Sequence, residues 1–352
     1  MFMRTRLFVL YCLFLLIFLV GCGNTTASEE NSETGNEEYT LTLAHGFPTN
    51  HFMHTFMEWF DEEIQARSEG QLSLEIYPNA QLMSMDQQTP AQLQGQIDMS
   101  HLASPVLAGF DERWNFFELP FLFDYDPEDP TVFLENRTTF LESEEGGGEF
   151  KRFMEEKGIK VLSLGYIDIF GSIFTTDKLV TDVESARGLR IRTPGGIVSP
   201  ETMASVGVNG ITMAGTEVIT ALQQGVVDGL LTTPIYAHDV NLPINTYTVV
   251  PLFNSVTAVT ISVDKFESLP AHLQEILVET GSDLEKHIHG VIQDSITETL
   301  PKLENEKGVD IYYPTEEEIE EWREATRPAW ELFEKEVEGG KELLETLSQM
   351  NE

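Results

Sequence analysis

Apolar and polar residues follow two periodic patterns that alternate along most of the chain. Alternation with a period of two over residues 39–44 and 72–77 predicts strands, and apolar side chains at helical spacing over 52–64 predict a helix between them. Strand and helix patterns continue to exchange as far as the C-terminal region, where the capping-box sequence 315–318 opens an amphipathic stretch. Strands that alternate with helices of roughly 10–20 residues predict α/β architecture with parallel sheets.

Two β-rich runs are candidates for connections between domains. The chain of 352 residues is long enough for about two domains, at roughly 150 residues each. Residues 159–174 form a run much longer than the average strand of roughly 5–6 residues, and 256–263 form another long run. We expect each run to pass from one α/β domain to the other, which would leave a cleft where loop ends and helix N-termini converge.

The first residues have the pattern of a targeting segment. Arg4 and Arg6 precede an apolar run over 7–20, which is shorter than the roughly 20 residues of a membrane-spanning helix. The run ends in Leu-Val-Gly-Cys at 19–22, which resembles the cleavage site of bacterial lipoproteins, so we expect residues 1–21 to be a signal peptide. The polar residues 22–38 are expected to tether the domain to a lipid on Cys22, outside the cytoplasmic membrane.

The charge balance restricts the partners of this chain. It carries 59 Asp and Glu against 21 Lys and Arg, for a formal net charge of −38. Such an acidic surface repels nucleic acids and anionic lipid headgroups, so neither is expected to bind. An anionic ligand would need a local positive site within this negative field. Only Cys12 and Cys22 are present, so no disulfide scaffold is expected.

Motifs for catalysis and for metal binding are missing from the sequence. It has no G-x-S-x-G, no P-loop and no G-x-G-x-x-G fingerprint. The pairs His51 and His54, and His287 and His289, lack the spacing and the carboxylate of a zinc motif, and we interpret them as incidental. We therefore expect no cofactor, no metal and no catalytic residue.

Five short segments resemble motifs of one family. Their order and spacing agree with that family from residue 39 to about 341, which is nearly the whole chain after the predicted tether. That family is the DctP-type solute-binding proteins of TRAP transporters (tripartite ATP-independent periplasmic transporters). The segments are YPNAQL at 77–82, QGQIDM at 94–99, LPFLF at 119–123, GLRIRTP at 188–194, and TEV followed by ALQQGVVDG within 216–229.

The resemblance implies a fold and an activity. The fold is the two-domain, periplasmic-binding-protein-like (type II) α/β fold, with a cleft between the domains, a long connecting helix and a C-terminal helix. Domain I would contain residues 39–168 and 255–300, domain II would contain 169–254, and a C-terminal helical segment, 301–352, would brace both. The implied activity is the capture of an organic acid by hinge closure and its delivery to membrane permease subunits. The resemblance also implies that the protein is not an enzyme.

The family's carboxylate clamp is an arginine that aligns with Arg192. Arginine suits this role because its planar fork makes two parallel hydrogen bonds to a carboxylate. Arg190 stands two residues earlier and shares the strand face, and we expect it to lie further out. The alternative for Arg192 is a surface residue of the strand, paired with an acid.

Four further residues are carried over to the ligand site from the resemblance. Lys178 aligns with a second cation of many relatives, although the neighbouring Pro is missing and the residue could be a solvated loop lysine. Thr232 and the adjacent Thr233 follow the VDG segment, where relatives often have Asn or Trp, which argues against the sialic acid ligand of some relatives. His45 falls where relatives have polar cleft residues, with a solvated turn histidine as its alternative.

Alternative functions remain open at this level. The same closed form could report a ligand to a membrane kinase, and an extracytoplasmic hydrolase or metal-dependent lyase is a third possibility. Within the family, four-carbon dicarboxylates, keto acids, sugar acids and compatible solutes are all candidate ligands. The sequence does not choose among them, nor between a monomer and a dimer.

Overall fold

The computed structural model describes residues 37–126, 129, 131–254 and 256–350. Residues 38–352 form one compact unit. The predicted signal peptide, Cys22 and nearly all of the predicted tether lie outside the described residues. None of the helices in the described part of the chain combines the length and the apolar character needed to cross a bilayer.

The described residues contain strands that form two separate sheets. These strands are β1 (Tyr39–His45), β2 (Leu72–Tyr77), β3 (Met99–Ala103), β4 (Ile159–Tyr166), β5 (Ser172–Thr175), β6 (Arg190–Thr193), β7 (Asn209–Thr212), β8 (Gly229–Thr232), β9 (Thr246–Thr248), β10 (Val256–Ser262) and β11 (Asp310–Tyr312).

Helices connect most of these strands. They are α1 (Phe52–Arg67), α2 (Met85–Leu93), α3 (Ser104–Leu107), α4 (Thr131–Glu142), α5 (Glu149–Glu156), α6 (Val183–Ala186), α7 (Val198–Ser205), α8 (Val218–Gln223), α9 (Pro234–Asp239), α10 (Val263–Ser268), α11 (Ala271–Lys307), α12 (Glu316–Ala325), α13 (Arg327–Glu336) and α14 (Gly340–Met350). Shorter turns are the 3₁₀ segments Glu112–Glu118 and Gly215–Glu217 and the π turn Glu144–Gly148.

The two sheets define two lobes. The first lobe is built on the sheet of order β2-β1-β3-β10-β4, in which β10 runs antiparallel to both of its neighbours. The second lobe is built on the sheet of order β11-β9-β5-β8-β6-β7. The sequence correctly predicts α/β architecture in two domains, but its prediction of parallel sheets is wrong in part, because β10 and β5 run antiparallel to their neighbours.

Buried apolar side chains fill the space between each sheet and its helices. In the first lobe, α1 contributes Met53, Phe56 and Phe60 to the main core cluster. In the second lobe, Ile191 of β6 and Leu231 of β8 belong to a separate cluster. The main cluster also includes Phe174 of β5 and Leu230 of β8, so one apolar core continues from the first lobe into the second.

Two neighbouring segments carry the chain between the lobes and contact each other, and α11 lies on a third connection, from β10 of the first lobe to β11 of the second. Residues 167–171 link β4 to β5, and residues 249–255 link β9 to β10. The backbone N–H of Gly171 donates to the carbonyl of Phe253 at 2.8 Å, so the two links form a short ladder. The predicted run 159–174 does cross, but as two strands with a break, and the second crossing lies just before β10.

The strand directions bring the ends of several strands from both sheets to these links. In the first lobe, β4 ends at the link, and the carboxyl ends of β1 and β3 point the same way because both lie parallel to β4. In the second lobe, Ser172 at the start of β5 pairs with Thr232 at the end of β8. The carboxyl ends of β1, β3, β6 and β8 therefore face the same region, which is the cleft that the alternating pattern predicts.

Helix α11 and the C-terminal helices contact both lobes. Helix α11 packs on α1 and β4 of the first lobe and on α9 and β11 of the second. It ends at Gly308, whose φ of +71° gives a left-handed cap. Helix α13 packs on α7, and the indole N–H of Trp330 donates to the carbonyl of Pro120 at 2.9 Å.

One part of the predicted organisation needs correction. The segment 301–352, expected to be helical, begins inside α11 and contains the edge strand β11 of the second sheet. This short strand pairs in parallel with β9, a contact distant in sequence that the local pattern does not reveal. The predicted capping box is present, since the Thr315 side chain accepts from the Glu318 N–H and the Glu318 carboxylate accepts from the Thr315 N–H. The other domain boundaries stay predictions.

Candidate functional site

Arg192 lies on β6, next to the edge strand of the second sheet, with little access to solvent. Strand β6 lies between β7 and β8, and this places Arg192 beside Ile211 and Leu230. The residue is 7% exposed, and its Nε donates to the carbonyl of Met213 at 3.0 Å. This is the only hydrogen bond that its side chain makes to the described residues, so both Nη groups are free to donate to another molecule.

Burial lowers the pKa of Arg192 to about 10, while its interactions with Tyr236 and Glu118 act in the opposite direction. The guanidinium therefore stays positively charged at neutral pH. A buried charge without a direct partner is costly, so an anion that reaches it gains strongly.

Arg190 occupies the outer position that the sequence predicts. Its Nε and Nη2 donate to the two carboxylate oxygens of Asp228 at 3.1 and 2.5 Å, and its side chain is 44% exposed. Arg190 is thus a strand residue paired with an acid, which is the arrangement that the sequence analysis considers as the alternative for Arg192. Period two places both arginines on one face, but only Arg192 lies near the carboxyl ends of the strands.

Glu118 brings a buried carboxyl group close to Arg192. It ends the 3₁₀ segment Glu112–Glu118 in the first lobe and accepts hydrogen bonds from the hydroxyls of Ser104 at 3.0 Å and Ser199 at 2.6 Å. Burial raises the pKa of Glu118 to about 7, against the two serine hydrogen bonds and the charge of Arg192. The sequence analysis missed this residue, although a single acid within the aromatic stretch NFFELPFLF is a usable signal.

Thr232, Thr233 and Tyr236 lie at the end of β8 and the start of α9. Thr232 and Thr233 are buried, and neither hydroxyl makes a hydrogen bond to a residue that the structure describes. The Tyr236 ring lies 5.5 Å from the ring of His51, and burial raises the pKa of its hydroxyl while the charge of Arg192 opposes this. Tyr236 therefore stands between the two lobes, beside Arg192 on one side and a histidine on the other.

His45 belongs to a buried group of histidines at the carboxyl ends of β1 and β3. Its Nδ1 accepts from the backbone N–H of Phe47 at 3.1 Å, so in the neutral ring the proton sits on Nε2, 3.1 Å from Nδ1 of His54. Burial, followed by the charge of His54, lowers the pKa of His45 to about 3. The alternative of a solvated turn histidine is therefore wrong, and the ligand role stays a prediction.

His51 and His101 complete this group. Nδ1 of His51 caps α1 by accepting from the N–H of Met53 at 3.1 Å, and burial lowers the pKa of His51 to about 3. Its Nε2, like both ring nitrogens of the fully buried His101, has no hydrogen-bond partner among the described residues. Within the same part of the chain, no group of three or more histidines, cysteines or acids has a geometry that could hold a metal ion.

Lys178 lies away from the other predicted site residues. Strand β5 is antiparallel to β8, so Thr175 pairs with Gly229 at the amino end of β8. Lys178 follows β5 in an exposed loop at that end, whereas Thr232 and Thr233 mark the opposite end. The structure therefore does not bring Lys178 together with Arg192. Because β5 runs antiparallel to β8, Lys178 lies at the amino end of β8, opposite to Thr232 and Thr233.

Two asparagine side chains of the first lobe make hydrogen bonds to backbone groups of the second lobe. The N–H of Ile197 donates to Oδ1 of Asn115 at 2.8 Å, and the Asn50 side chain donates to the carbonyl of Asp239 at 2.7 Å. Gly196, with a φ of +67°, permits the first contact, because a Cβ there would lie 2.3 Å from Oδ1 of Asn115. These contacts hold the two lobes together in this structure.

Comparison with known proteins gives consistent matches along most of the chain. The model of the family described as bacterial extracellular solute-binding protein, family 7 (DctP), matches residues 43–336. The C4-dicarboxylate-binding periplasmic protein DctP of Vibrio cholerae is 25% identical over 309 residues, which cover 83% of this chain and 84% of that protein. The 2,3-diketo-L-gulonate-binding periplasmic protein YiaO of Escherichia coli is 24% identical over 323 residues, covering 88% and 92%.

Solved structures have the same fold. A TRAP periplasmic solute-binding protein from Shewanella oneidensis with bound succinate superimposes with a TM-score of 0.80 at 20% identity, over 90% of this chain and 100% of that one. One from Haemophilus influenzae with bound L-gulonate gives a TM-score of 0.80 at 22% identity, over 88% and 99%. At these identities the likeness establishes the two-domain architecture.

Proposed function

The chain belongs to family 7 of the bacterial extracellular solute-binding proteins, the DctP family, and we propose that it captures an organic acid on Arg192 for a TRAP transporter. Members of this family are solute receptors. The observation that carries the proposal is the buried guanidinium of Arg192, which faces the cleft with both Nη groups free of described partners.

The physical argument concerns the cost of a buried charge. Removing a carboxylate from water costs several kcal/mol, and a guanidinium that makes two parallel hydrogen bonds to it compensates that cost. The carbonyl of Met213 occupies Nε and fixes the plane of the Arg192 fork. The remaining donors are therefore preorganised for an anion, and less binding energy is spent on ordering the side chain.

Closure of the lobes would be driven by the ligand. A ligand shifts an open–closed equilibrium only by as much as it binds the closed form better. A carboxylate on Arg192 whose other end reaches the first lobe, near His45, has such a preference because the open form offers only one wall. Thr232 and Thr233 have hydroxyls available to donate at the same end of β8.

The test is ligand-induced stabilisation of the purified protein. A panel of carboxylates, each beside its uncharged amide, is compared by thermal shift and calorimetry. A ligand at 100 times its dissociation constant adds about 2.7 kcal/mol to stability. We expect Arg192→Ala to abolish the shift and Arg190→Ala to keep it, because Arg190 pairs with Asp228 on the outer side. Binding by Arg192→Ala as tight as by wild type would overturn the assignment.

The location and delivery steps belong to the same proposal. The family is extracellular, and we propose that lipid on Cys22 holds the domain at the outer surface of the cell membrane after removal of residues 1–21. Cys22→Ser should move the protein from the membrane fraction to the soluble fraction, and a variant that stays in the membrane fraction would contradict anchoring. Proximity crosslinking in intact cells should recover a TRAP permease subunit; recovery of a sensor kinase alone would contradict delivery.

A further inference from the structure

Glu118 holds a fully buried carboxyl group at the contact between the two lobes. Its Oε1 accepts from the hydroxyl of Ser104 at 3.0 Å, and its Oε2 accepts from the hydroxyl of Ser199 at 2.6 Å. Ser104 begins α3 in the first lobe, whereas Ser199 lies in the first turn of α7 in the second lobe. Each carboxylate oxygen therefore accepts one hydrogen bond, and the two bonds come from different lobes.

The 3₁₀ segment that carries Glu118 lies against the loop that follows the strand of Arg192. Residues 194–197 lead from β6 to α7. In this loop the N–H of Ile197 donates at 2.8 Å to Oδ1 of Asn115, which belongs to the same 3₁₀ segment as Glu118. Two hydrogen bonds between the lobes thus fix the position of the Glu118 carboxyl group relative to the second lobe.

The charges of Glu118 and Arg192 act on each other. Burial raises the pKa of Glu118 to about 7, while the two serine hydrogen bonds and the charge of Arg192 lower it. Burial lowers the pKa of Arg192 to about 10, while the charges of Tyr236 and Glu118 raise it. Near neutral pH, Arg192 is therefore positively charged, and Glu118 exists partly as the carboxylate and partly as the acid.

The other titratable groups around the 3₁₀ segment do not reach Glu118 electrostatically. Helices α3, α7 and α14 pack against this segment, and α4, α5 and α13 meet its aromatic rings. Helix α3 has no titratable side chain; those of α7, of α14 and of the segment itself are Glu201, Lys341, Glu342, Glu345, Glu112 and Arg113. Of all charged side chains in the described residues, only Arg192 affects the pKa of Glu118.

An anion bound to Arg192 would change the balance between the two forms of Glu118. Without a bound anion, the guanidinium charge favours the ionised carboxylate. A ligand carboxylate compensates that charge and adds a negative charge to the same buried region, and both changes favour the protonated acid. Two buried carboxylates that share one cation are costly, and the uptake of a proton removes one of the two negative charges.

We propose that capture of a carboxylate on Arg192 is coupled to the uptake of a proton by Glu118, so that the cleft takes in the ligand anion and a proton together. The proton comes from the solvent and is held on a carboxyl oxygen of Glu118. This inference rests on the proposed function, which places the carboxylate on Arg192 and says nothing of protons. Because binding consumes a proton, affinity falls as the pH rises.

Calorimetry in two buffers measures this proton directly. Acetate, succinate and L-gulonate are titrated into the purified protein at pH 7.5, in HEPES and in Tris, whose enthalpies of ionisation differ. The three probes are ionised at this pH, so a proton taken up with them binds to the protein. We expect the uptake of about half a proton or more, and a Kd at least about threefold higher at pH 8.5 than at pH 6.5. Binding without proton uptake, with a Kd that does not change with pH, overturns the inference.

Glu118→Gln tests whether Glu118 is the group that takes up the proton. The amide has the size of the carboxyl group and can bond to both serines, but it does not titrate. We expect no proton uptake and the same Kd at pH 6.5 and pH 8.5. The matched control is Glu201→Gln on α7, which should keep the wild-type uptake because the charge of Glu201 does not act on Glu118. Proton uptake that persists in Glu118→Gln contradicts the assignment.

Ser199→Ala tests the hydrogen bond between the lobes. The carboxylate form of Glu118 accepts this bond, so its removal should raise the pKa of Glu118 further. More of the unliganded protein is then already protonated at pH 7.5. We expect a smaller proton uptake at this pH and a weakening of affinity that begins at a higher pH than in the wild type. A lower melting temperature with an unchanged pH profile would show that Ser199 is merely structural and would contradict its part in the coupling.

The two proposals fail in different ways. Loss of binding in Arg192→Ala, together with a wild-type Kd that does not depend on pH, would keep the proposed function and remove this inference. Binding that is unaffected by Arg192→Ala, or failure of the wild type to bind any of the three probes, would remove the proposed site on Arg192 and this inference with it.

Discussion

The carboxylate of Asp168 accepts a hydrogen bond from the backbone N–H of Ile235, which joins the link between the lobes to the first turn of α9. Thr233, the N-cap residue of α9, makes no capping bond with its own side chain. Asp168, from a distant part of the chain, makes the hydrogen bond that the Thr233 side chain does not make. The other carboxylate oxygen of Asp168 accepts from the N–H of Ile169 at 2.7 Å. The orientation of α9, and with it Tyr236, is therefore coupled to the backbone of the link.

Replacement of Asp168 should destabilise the protein. Asp168→Ala removes the acceptor of the Ile235 N–H and a carboxyl group whose charge interacts with the buried Arg137. We expect a loss of about 2–4 kcal/mol in the free energy of unfolding, measured by urea denaturation. Asp177→Ala, in an exposed loop, should change it by less than about 0.5 kcal/mol. Equal effects of the two substitutions would show that the link makes no special contribution.

The stability contributed by Glu118 should depend on pH. Burial raises the pKa of Glu118 to about 7, so between its ordinary value and pH 7 the folded state holds a proton that the unfolded state has lost. Its ionisation therefore costs stability as pH rises through 7. Relative to wild type, Glu118→Gln should be more stable at pH 8 than at pH 5 by about 2–3 kcal/mol. Glu331→Gln, on an exposed face of α13, should show no such difference, and a flat profile for Glu118→Gln would contradict the expectation.

The buried histidines should make the protein sensitive to acid. Burial lowers the pKa of four of them, while it raises the pKa of two carboxyl groups to about 7. The histidines are His45, His51, His101 and His289, and the carboxyl groups are those of Glu118 and Asp168. Below pH 6.5 the unfolded histidines bind protons that the folded ones do not, so stability falls with pH, and the two acids partly offset this.

With both effects included, the free energy of unfolding should fall by about 2 kcal/mol for each pH unit below 6.5. Denaturation curves recorded between pH 7 and pH 5 measure it directly. His272→Asn serves as a control, because that exposed residue should leave the slope unchanged. A stability that rises steadily as the pH falls to 5 would show that the acids outweigh the histidines.

Two glycines of α11 should respond oppositely to the same substitution. A Cβ on Gly281 would lie 2.3 Å from the carbonyl oxygen of Leu162 in β4, whereas nothing lies within 4 Å of a Cβ on Gly290. Gly281→Ala should therefore destabilise the protein by about 1–3 kcal/mol through overpacking. Gly290→Ala should stabilise it by about 0.5–1 kcal/mol through helix propensity. Thermal unfolding of both variants decides, and stabilisation by Gly281→Ala would contradict the close packing of α11 on β4.

Much of the fold can be predicted from local patterns. The alternation over 39–44 and 72–77 corresponds to β1 and β2, because a strand with one buried face repeats every two residues. The break at 167–171 was missed because apolar residues continue through it, and the buried Asp168 is explained only by Ile235, which is distant in sequence.

The candidate site is predictable in part. The resemblance points to Arg192, and the expectation that Arg190 lies further out is confirmed by its ion pair with Asp228, whereas the ligand role of Arg192 stays a prediction. The resemblance also points to Lys178, which lies at the opposite end of β8 because β5 runs antiparallel to that strand. Glu118 has one signal in the sequence, its place as a single acid within an aromatic stretch, whereas Tyr236 has none; each makes its contact with a neighbour on the other lobe. Local patterns report which face is buried, whereas contacts across a cleft depend on topology.

The position of β10 sets an order on folding during synthesis. This strand lies between β3 and β4 and is antiparallel to both, yet it follows the whole second sheet except β11 in the sequence. The first sheet therefore cannot be completed until residues 256–262 have emerged, and β4 has no neighbouring strand before then. A nascent chain carries an unpaired strand edge throughout the synthesis of the second lobe, the period in which aggregation or capture by a chaperone competes with folding.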